Sequence, residues 1–106
     1  MITDSDVAWV VERIVALYDP DRIYVFGSYA KGAAHEKSDL DLLVVRSSEL
    51  PQRHRGQDVI GILRNMPIDF DVLFVTPDEV AEEVADPYSL LSTVMATART
   101  LYERTP

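Results

Sequence analysis

Two aspartates separated by one residue, Asp39 and Asp41, stand at the head of an apolar run, 42–45, that is typical of a buried strand. Because side chains alternate between the two faces of a strand, both carboxylates are expected to point the same way. Two carboxylates on one face repel each other unless a cation lies between them. Hard oxygen ligands at this spacing suit Mg²⁺, so the pair predicts a magnesium site.

A Gly-Ser turn, Gly27-Ser28, lies upstream of the aspartates and directly follows a strand-like segment. Such a turn offers backbone N–H groups and a hydroxyl to phosphates. Mg²⁺ commonly completes its coordination with water and substrate phosphates. Each feature alone is more often a plain turn or a solvated strand end, but a metal site beside a phosphate-binding turn is the equipment of phosphoryl or nucleotidyl transfer.

A third carboxylate is expected from the strand predicted over 68–75, which carries Asp69 and Asp71 two residues apart on one face. Either of them joins Asp39 and Asp41 if the two strands are neighbours in the sheet. Three carboxylates borne by adjacent strands can hold two metal ions about 3.5–4 Å apart. In such a site the protein chiefly positions the reactants and neutralises their charge.

Helices and strands that would position these residues alternate along the chain. Apolar residues at helical spacing predict helices over 5–18 and 51–65. Runs of β-branched and aromatic residues predict strands over 22–26, 39–45 and 68–75. Further helices are predicted over 29–31, 77–85 and 89–99, the middle one opened by a capping box of Thr76 and Glu79, and a short strand over 101–103. This order predicts an α+β (mixed α/β) fold, a small mixed sheet flanked by helices.

The length and composition of the chain set its broad class. A chain of 106 residues, 47% of them hydrophobic, is expected to form a single domain over residues 1–106. It has no cysteine, which excludes disulfides and thiolate metal sites. No apolar run approaches the length of a membrane span, so a cytoplasmic protein without membrane association is predicted.

The charge of the chain is strongly negative, and this disfavours binding to nucleic acid. The formal net charge is −8, and seven carboxylates lie between Asp69 and Asp86. Nucleic-acid binding requires a positive surface to neutralise phosphates. The cluster Arg53-His54-Arg55 is the feature that would favour RNA, but a solvated helix surface is the better interpretation of it.

Trp9 in the first helix is expected to be core or partly packed, with an exposed partner-binding patch as the alternative.

These motifs together resemble those of the minimal nucleotidyltransferase domains of the DNA polymerase β superfamily. The matching residues are Gly27-Ser28, then Lys31-Gly32, then the run 38–42 that contains Asp39 and Asp41. A later run, 71–79, is similar to the strand of the family that carries an aspartate and ends in Thr-Pro-acidic-Glu. The resemblance covers nearly the whole chain and implies the nucleotidyltransferase fold.

The resemblance also implies roles for the carboxylates. Asp39 and Asp41 would ligate Mg²⁺, and Asp71 would complete the site and help to activate the attacking hydroxyl. Asp71 is preferred to Asp69 because it directly precedes the apolar part of its strand, as in the family, although the residues alone leave the choice open.

For the substrate, the resemblance implies a nucleoside triphosphate, ATP by preference, whose phosphates are bound by Gly27, Ser28 and Lys31. Many members of the family carry arginine at the position of Lys31. Lysine keeps the positive charge but loses the bidentate contact that a guanidinium makes with phosphate.

An acceptor for the nucleotide is expected on another molecule, because larger members carry an acceptor-binding domain and this chain ends before one. A second subunit of a homo-oligomer or a partner protein would supply it. The resemblance implies that the partner is a HEPN-family toxin and that this chain is its antitoxin, transferring AMP to a tyrosine. The open alternatives are an antitoxin that neutralises its partner by occlusion without catalysis, and transfer of nucleotides to RNA or a small molecule.

Overall fold

A mixed sheet of four strands forms the centre of the molecule. The computed structural model describes residues 2–35 and 37–105. Its elements in chain order are α1 (Asp4–Tyr18), β1 (Arg22–Phe26), α2 (Ser28–Lys31), β2 (Leu40–Val45), a 3₁₀-helix (Gln52–His54), α3 (Gln57–Leu63), β3 (Phe70–Val75), α4 (Pro77–Val84), α5 (Leu90–Thr97) and β4 (Arg99–Glu103). The strand order is β3-β2-β1-β4. β1 runs antiparallel to β2 and β4, whereas β2 and β3 are parallel.

Helices cover both faces of this sheet, so the molecule has three layers. Alternate residues of each strand point to opposite faces. In β2, Leu40, Leu42 and Val44 pack on the side of α1 and α3. Leu43 and Val45 pack on the other side, against α4 and α5. The α+β architecture with a small mixed sheet flanked by helices is therefore confirmed, and the alternation places Asp41 on the face that α4 and α5 partly cover.

The first helix forms as predicted and begins one residue earlier. Thr3 caps it in a capping box with Asp6, and Val10 and Ile14 are buried against the sheet. The helix ends where Asp19 adopts a left-handed conformation. Trp9 lies at the surface, 41% exposed, with the guanidinium of Arg13 over its ring. None of the described helices is long and apolar enough to cross a membrane.

The helix predicted over 51–65 is wrong in its first half. The chain instead forms the short 3₁₀-helix, passes through Arg55 in an extended conformation and Gly56 in a left-handed one, and only then begins α3. A side chain at Gly56 would overlap the ring of Phe74. This break turns Arg55 inward, where its buried guanidinium pairs with Glu79.

The prediction of a last helix over 89–99 places its end two residues too late. Ser89 caps α5, as a helix start there requires, but the helix stops at Thr97 and Ala98 is already extended. Arg99 is instead the first residue of β4, where it pairs with Val25 of β1. Pairing with the sheet has overridden the helical preference of this segment.

Candidate active site

The carboxylates predicted to act together meet on adjacent parallel strands. Asp41 of β2 is the register partner of Asp71 in β3. Directly paired residues of neighbouring strands project from the same face, so the two carboxylates lie side by side. Asp39 precedes β2 by one residue rather than beginning it as predicted, and it lies two residues before Asp41. The two strands are neighbours, which is the condition that the sequence could not establish.

Asp69 occupies a different place from Asp71. It lies just before β3, and its backbone carbonyl accepts a hydrogen bond from the N–H of Leu40 at 2.9 Å. The charge of Asp71 acts on Asp41 and raises its pKa. Between the two candidates for the third carboxylate, this electrostatic coupling favours Asp71.

The pKa of Asp41 is raised by its burial and by its position among other carboxylates. Partial burial raises this pKa most, and the charges of Asp71 and then Asp39 raise it further. Burial and nearby like charges both disfavour the ionised carboxylate. A cation placed among these groups would relieve both costs, because it would neutralise the charges that repel each other.

The chemistry of the donor set fits a magnesium ion that takes part of its coordination from elsewhere. Within residues 2–35 and 37–105, no three acidic, histidine or cysteine side chains lie close enough to form a complete ligand group by themselves. Mg²⁺ does not need one, since it commonly binds one or two carboxylates and fills its other positions with water and substrate phosphates. Asp39, Asp41 and Asp71 supply hard oxygen ligands of the kind that Mg²⁺ prefers.

The turn at Gly27 packs directly against the Asp41 carboxylate. Its backbone has φ 70° and ψ −148°, a conformation that residues with a side chain avoid. A Cβ at this position would overlap Oδ2 of Asp41. Phe26, the last residue of β1, is the register partner of Asp41, so the turn that follows it lies next to the Asp41 carboxylate. Glycine is therefore required here for its conformation and for its lack of a side chain.

The short helix α2 follows this turn and is held from two sides. Gly32 ends it in a left-handed conformation and donates its N–H to the carbonyl of Ser28. Arg99 of β4 donates to the carbonyl of Tyr29 at 3.1 Å. The Tyr29 hydroxyl accepts the N–H of Ile2 at 3.0 Å. Arg99 thus links α2 to the edge of the sheet, a contact that the sequence did not reveal.

A cleft of about 580 Å³ opens beside the turn, between α2 and α5. Gly27 and Lys31 line it together with Phe26 and, from the other wall, Pro87, Leu90, Ser92, Thr93, Val94, Ala96 and Thr97. Neither Ser28 nor the aspartates are among the described residues that line it. Ser28 is instead the first residue of α2, next to Gly27. The structure therefore brings Gly27 and Lys31 into one cleft.

The wall of this cleft formed by α5 was missed by the sequence analysis. Ser92, Thr93, Ala96 and Thr97 are small and recur at a spacing that puts them on one side of a helix, which is a weak signal. Nothing in their own segment indicates that they face a turn some 65 residues earlier. Contacts this distant in sequence depend on how the helix packs on the sheet.

The basic cluster predicted as a solvated helix surface is divided by the fold. Arg53 and His54 are exposed on the 3₁₀-helix, but Arg55 is buried. Its guanidinium donates to the backbone carbonyls of Leu50 and Phe74 and pairs with Glu79 at 2.6 Å. The interpretation as a solvated helix surface is therefore wrong for Arg55, whose charge is paired inside the protein.

A small mixed sheet with carboxylates on two adjacent parallel strands, and a glycine turn against one of them, defines the nucleotidyltransferase class of folds. Residues 7–103 match the family described as nucleotidyltransferase domain. The chain belongs to this family, as the resemblance of its motifs predicted.

Similar proteins agree with this membership. A protein from Methanocaldococcus jannaschii named "putative protein adenylyltransferase" is 38% identical over 53 residues, and the match spans about half of each chain, 50% of this one and 52% of the relative. A crystal structure described as a "putative nucleotidyltransferase" from Sulfolobus solfataricus aligns with a TM-score of 0.64 at 20% identity, over 92% of this chain and 78% of the other. A structure described as a toxin–antitoxin with AMP-PNP aligns with a TM-score of 0.57 at 20% identity, over 91% and 73%. At such identity the two structures show a shared fold.

Proposed function

We propose that this chain, acting as one domain, transfers the nucleoside monophosphate of a nucleoside triphosphate to a hydroxyl, and that the reaction is AMP transfer from ATP to a tyrosine of a partner protein. The observation that carries the proposal is the direct register of Asp41 with Asp71, with Asp39 adjacent and the Gly27 turn against Asp41. Membership of the nucleotidyltransferase family and similarity to a protein named as an adenylyltransferase support it.

Each site residue has a role that its placement supports. Asp39, Asp41 and Asp71 would supply carboxylate ligands to Mg²⁺, and three carboxylates on adjacent strands suit the two-ion arrangement that the resemblance implies. Gly27 and Ser28 would present backbone N–H groups to the triphosphate at the start of α2. Lys31 lines the cleft beside this turn, and its positive charge is the nearest one to Gly27 and Ser28 along the chain. The described part of α5 forms the opposite wall, where the nucleoside would lie.

The transfer itself is a displacement at phosphorus. The acceptor hydroxyl oxygen forms a bond to the α-phosphorus, and the bond from that phosphorus to the bridging oxygen breaks, so that pyrophosphate leaves with the electron pair. The hydroxyl proton passes to the carboxylate of Asp71, which is exposed and next to Asp41. When bound, Mg²⁺ lowers the pKa of the hydroxyl and neutralises the charge on the departing phosphates.

The partner that we propose is a HEPN-family toxin, with this chain as its antitoxin. The resemblance to minimal nucleotidyltransferases implies it, and the shared fold with a structure described as a toxin–antitoxin with AMP-PNP is consistent with it. The strong negative charge of the chain supports a protein acceptor over RNA, since phosphates would be repelled.

The test is transfer of label from ATP carrying ³²P at the α-phosphate. The chain, Mg²⁺ and the protein encoded by the neighbouring reading frame are incubated together, and labelled protein is measured. We expect labelling of the partner that is lost in the Asp39→Asn/Asp41→Asn variant and retained in Asp69→Asn. Labelling that survives the double substitution would remove these residues from the site.

The same variants separate catalysis from occlusion. If the Asp39→Asn/Asp41→Asn variant protects cells from the partner as well as the wild type does, binding alone neutralises the partner. Loss of protection, with the complex still formed in a pull-down, shows that protection requires transfer.

A further inference from the structure

An exposed apolar surface adjoins the cleft at the connection between α4 and α5. Val84, Tyr88 and Leu90 are 44%, 94% and 65% exposed. Leu90 and its neighbour Pro87 also line the cleft, so this surface continues from the mouth of the cleft onto the outside of the molecule. Exposed apolar residues grouped beside a site mark a place where another molecule binds. We call Val84, Pro87, Tyr88 and Leu90 the apolar rim.

The backbone of this connection is fixed by hydrogen bonds, so the exposure of Tyr88 is built into the fold. The N–H of Tyr88 donates to the side chain of Asp86 at 2.9 Å, and the N–H of Ser89 donates to the Asp86 carbonyl at 3.1 Å. The Ser89 hydroxyl donates to the carbonyl of Glu83 and accepts the N–H of Ser92. A tyrosine on a fixed backbone loses only the freedom of its two side-chain torsions on binding, which favours its use as an anchor.

The charged residues of the segment that carries the apolar rim are all acidic, and Lys31 lies across the cleft from it. Glu82, Glu83 and Asp86 are exposed beside it. The whole segment 65–98 contains no lysine, arginine or histidine. Electrostatic complementarity therefore favours a partner that brings positive charge as well as apolar contacts to the rim, whereas an acidic surface would be repelled.

We propose that the apolar rim is the docking surface for the acceptor protein, and that the acceptor carries a positively charged, apolar segment next to the hydroxyl that is modified. The proposal rests on the proposed transferase function and adds the chemistry of the acceptor to it. Docking at the rim places the acceptor at the mouth of the cleft, whose lining includes Gly27, the residue that packs against Asp41. Lysine or arginine on the acceptor meets Glu82, Glu83 and Asp86, and apolar side chains meet Tyr88.

The experiment measures binding alone, so that its outcome does not depend on catalysis. Two fluorescent peptides are compared by anisotropy in EDTA without nucleotide. The first contains one tyrosine flanked by lysines and leucines, and the second has glutamate in place of each lysine. We expect the basic peptide to bind with an affinity that falls as salt is added, and the acidic peptide not to bind.

Substitutions with matched controls locate the binding surface. Val84→Ser/Tyr88→Ala should weaken binding of the basic peptide by at least about tenfold. Its control is Leu17→Ser/Trp9→Ala, which removes residues of similar or lower exposure, 43% and 41%, from α1 on the other face of the sheet and should change binding by less than about twofold. Glu82→Lys should weaken binding, whereas Glu12→Lys on α1 should not.

Three results would overturn the proposal. The first is equal binding, or absence of binding, of the two peptides. The second is an affinity unchanged by Val84→Ser/Tyr88→Ala. The third is a dimer of the wild-type chain in sedimentation that this variant dissociates, since the rim would then bind a second copy. Peptide binding without any transfer of label would leave this proposal standing and count against the proposed reaction, so the two failures are distinguishable.

Discussion

Gly27 carries two requirements that can be separated by experiment. Its φ of 70° and ψ of −148° disfavour any side chain, and a Cβ would also overlap the Asp41 carboxylate. Gly27→Ala should therefore lower the free energy of unfolding by at least about 2 kcal/mol, as measured by urea denaturation. It should also abolish nucleotide transfer, because Asp41 must move.

Gly32 provides the control for this substitution. It has the same φ of 70°, but a Cβ there would have no heavy atom within 4 Å. Gly32→Ala should cost only about 1 kcal/mol, the strain of a left-handed residue. Equal losses in the two variants would mean that neither the contact with Asp41 nor the ψ of −148° at Gly27, where Gly32 has 19°, adds an energetic cost.

Ionisation of Asp41 costs the fold stability. Its folded pKa is raised, first by burial and then by Asp71 and Asp39. A carboxylate with a raised folded pKa stabilises the fold most when protonated and loses this contribution as pH rises through that pKa. Above its ordinary value of 3.8, ionised Asp41 therefore weakens the fold.

Asp41→Asn should accordingly stabilise the protein while it inactivates it. In EDTA at pH 7 we expect the unfolding temperature to rise by about 1–3 °C, a small shift because the group is only partly buried. The difference from the wild type should close as pH falls below about 4. A destabilised Asp41→Asn at pH 7 would contradict this electrostatic account.

At the scale of the elements, the ion pair of Arg55 with Glu79 joins the segment before α3 to the start of α4. The Arg55 hydrogen bond lowers the pKa of Glu79, and the bond from the Thr76 N–H lowers it further. A depressed folded pKa adds stability above the ordinary value of 4.5, and this stability is lost as pH falls through the folded pKa.

Glu79→Gln tests the charge without removing the helix cap. Glutamine still completes the capping box with Thr76, but it leaves the buried Arg55 without its counter-charge. The variant should lose about 1–2 kcal/mol at pH 7, and less below pH 4, in urea denaturation. Glu82→Gln, exposed on the same helix, should leave stability unchanged.

Most of the elements could be predicted because their signals are local. The capping box of Thr76 and Glu79 and the left-handed Gly32 are read from a few neighbouring residues. The break at Arg55-Gly56 could not be predicted, since the partner of the inward-turned Arg55 is Glu79, 24 residues later. The same holds for Arg99, which pairs with a strand some 74 residues earlier.

The candidate site likewise could be predicted where its signals are local and not where they depend on contacts distant in sequence. Asp-x-Asp and Gly-Ser indicated their chemistry locally, but the pairing of Asp41 with Asp71 depends on strand order, which periodicity does not determine. The wall of α5 carried only the weak signal of small residues at helical spacing, and the apolar rim carried no recognisable pattern. Their relation to the turn exists only once α5 packs against β1 and the sheet.

At the scale of the whole molecule, a net charge of −8 makes the fold sensitive to cations. Added NaCl should raise the unfolding temperature modestly by screening self-repulsion. MgCl₂ at equal ionic strength should raise it further, by about 4–8 °C at ten times the dissociation constant. The excess should vanish in Asp41→Asn but persist in Asp69→Asn, and an excess retained in both would indicate diffuse binding.

The most direct test of the site is calorimetric titration with Mg²⁺ and α,β-methylene-ATP, which cannot be cleaved at the bond that breaks in the reaction. The wild type should bind it only with Mg²⁺ present. Asp71→Asn should weaken binding by at least about tenfold, and Asp69→Asn, two residues away, by less than about twofold. Equal loss in the two variants, or no loss in Asp71→Asn, would contradict the assignment of Asp71 as the carboxylate that completes the site.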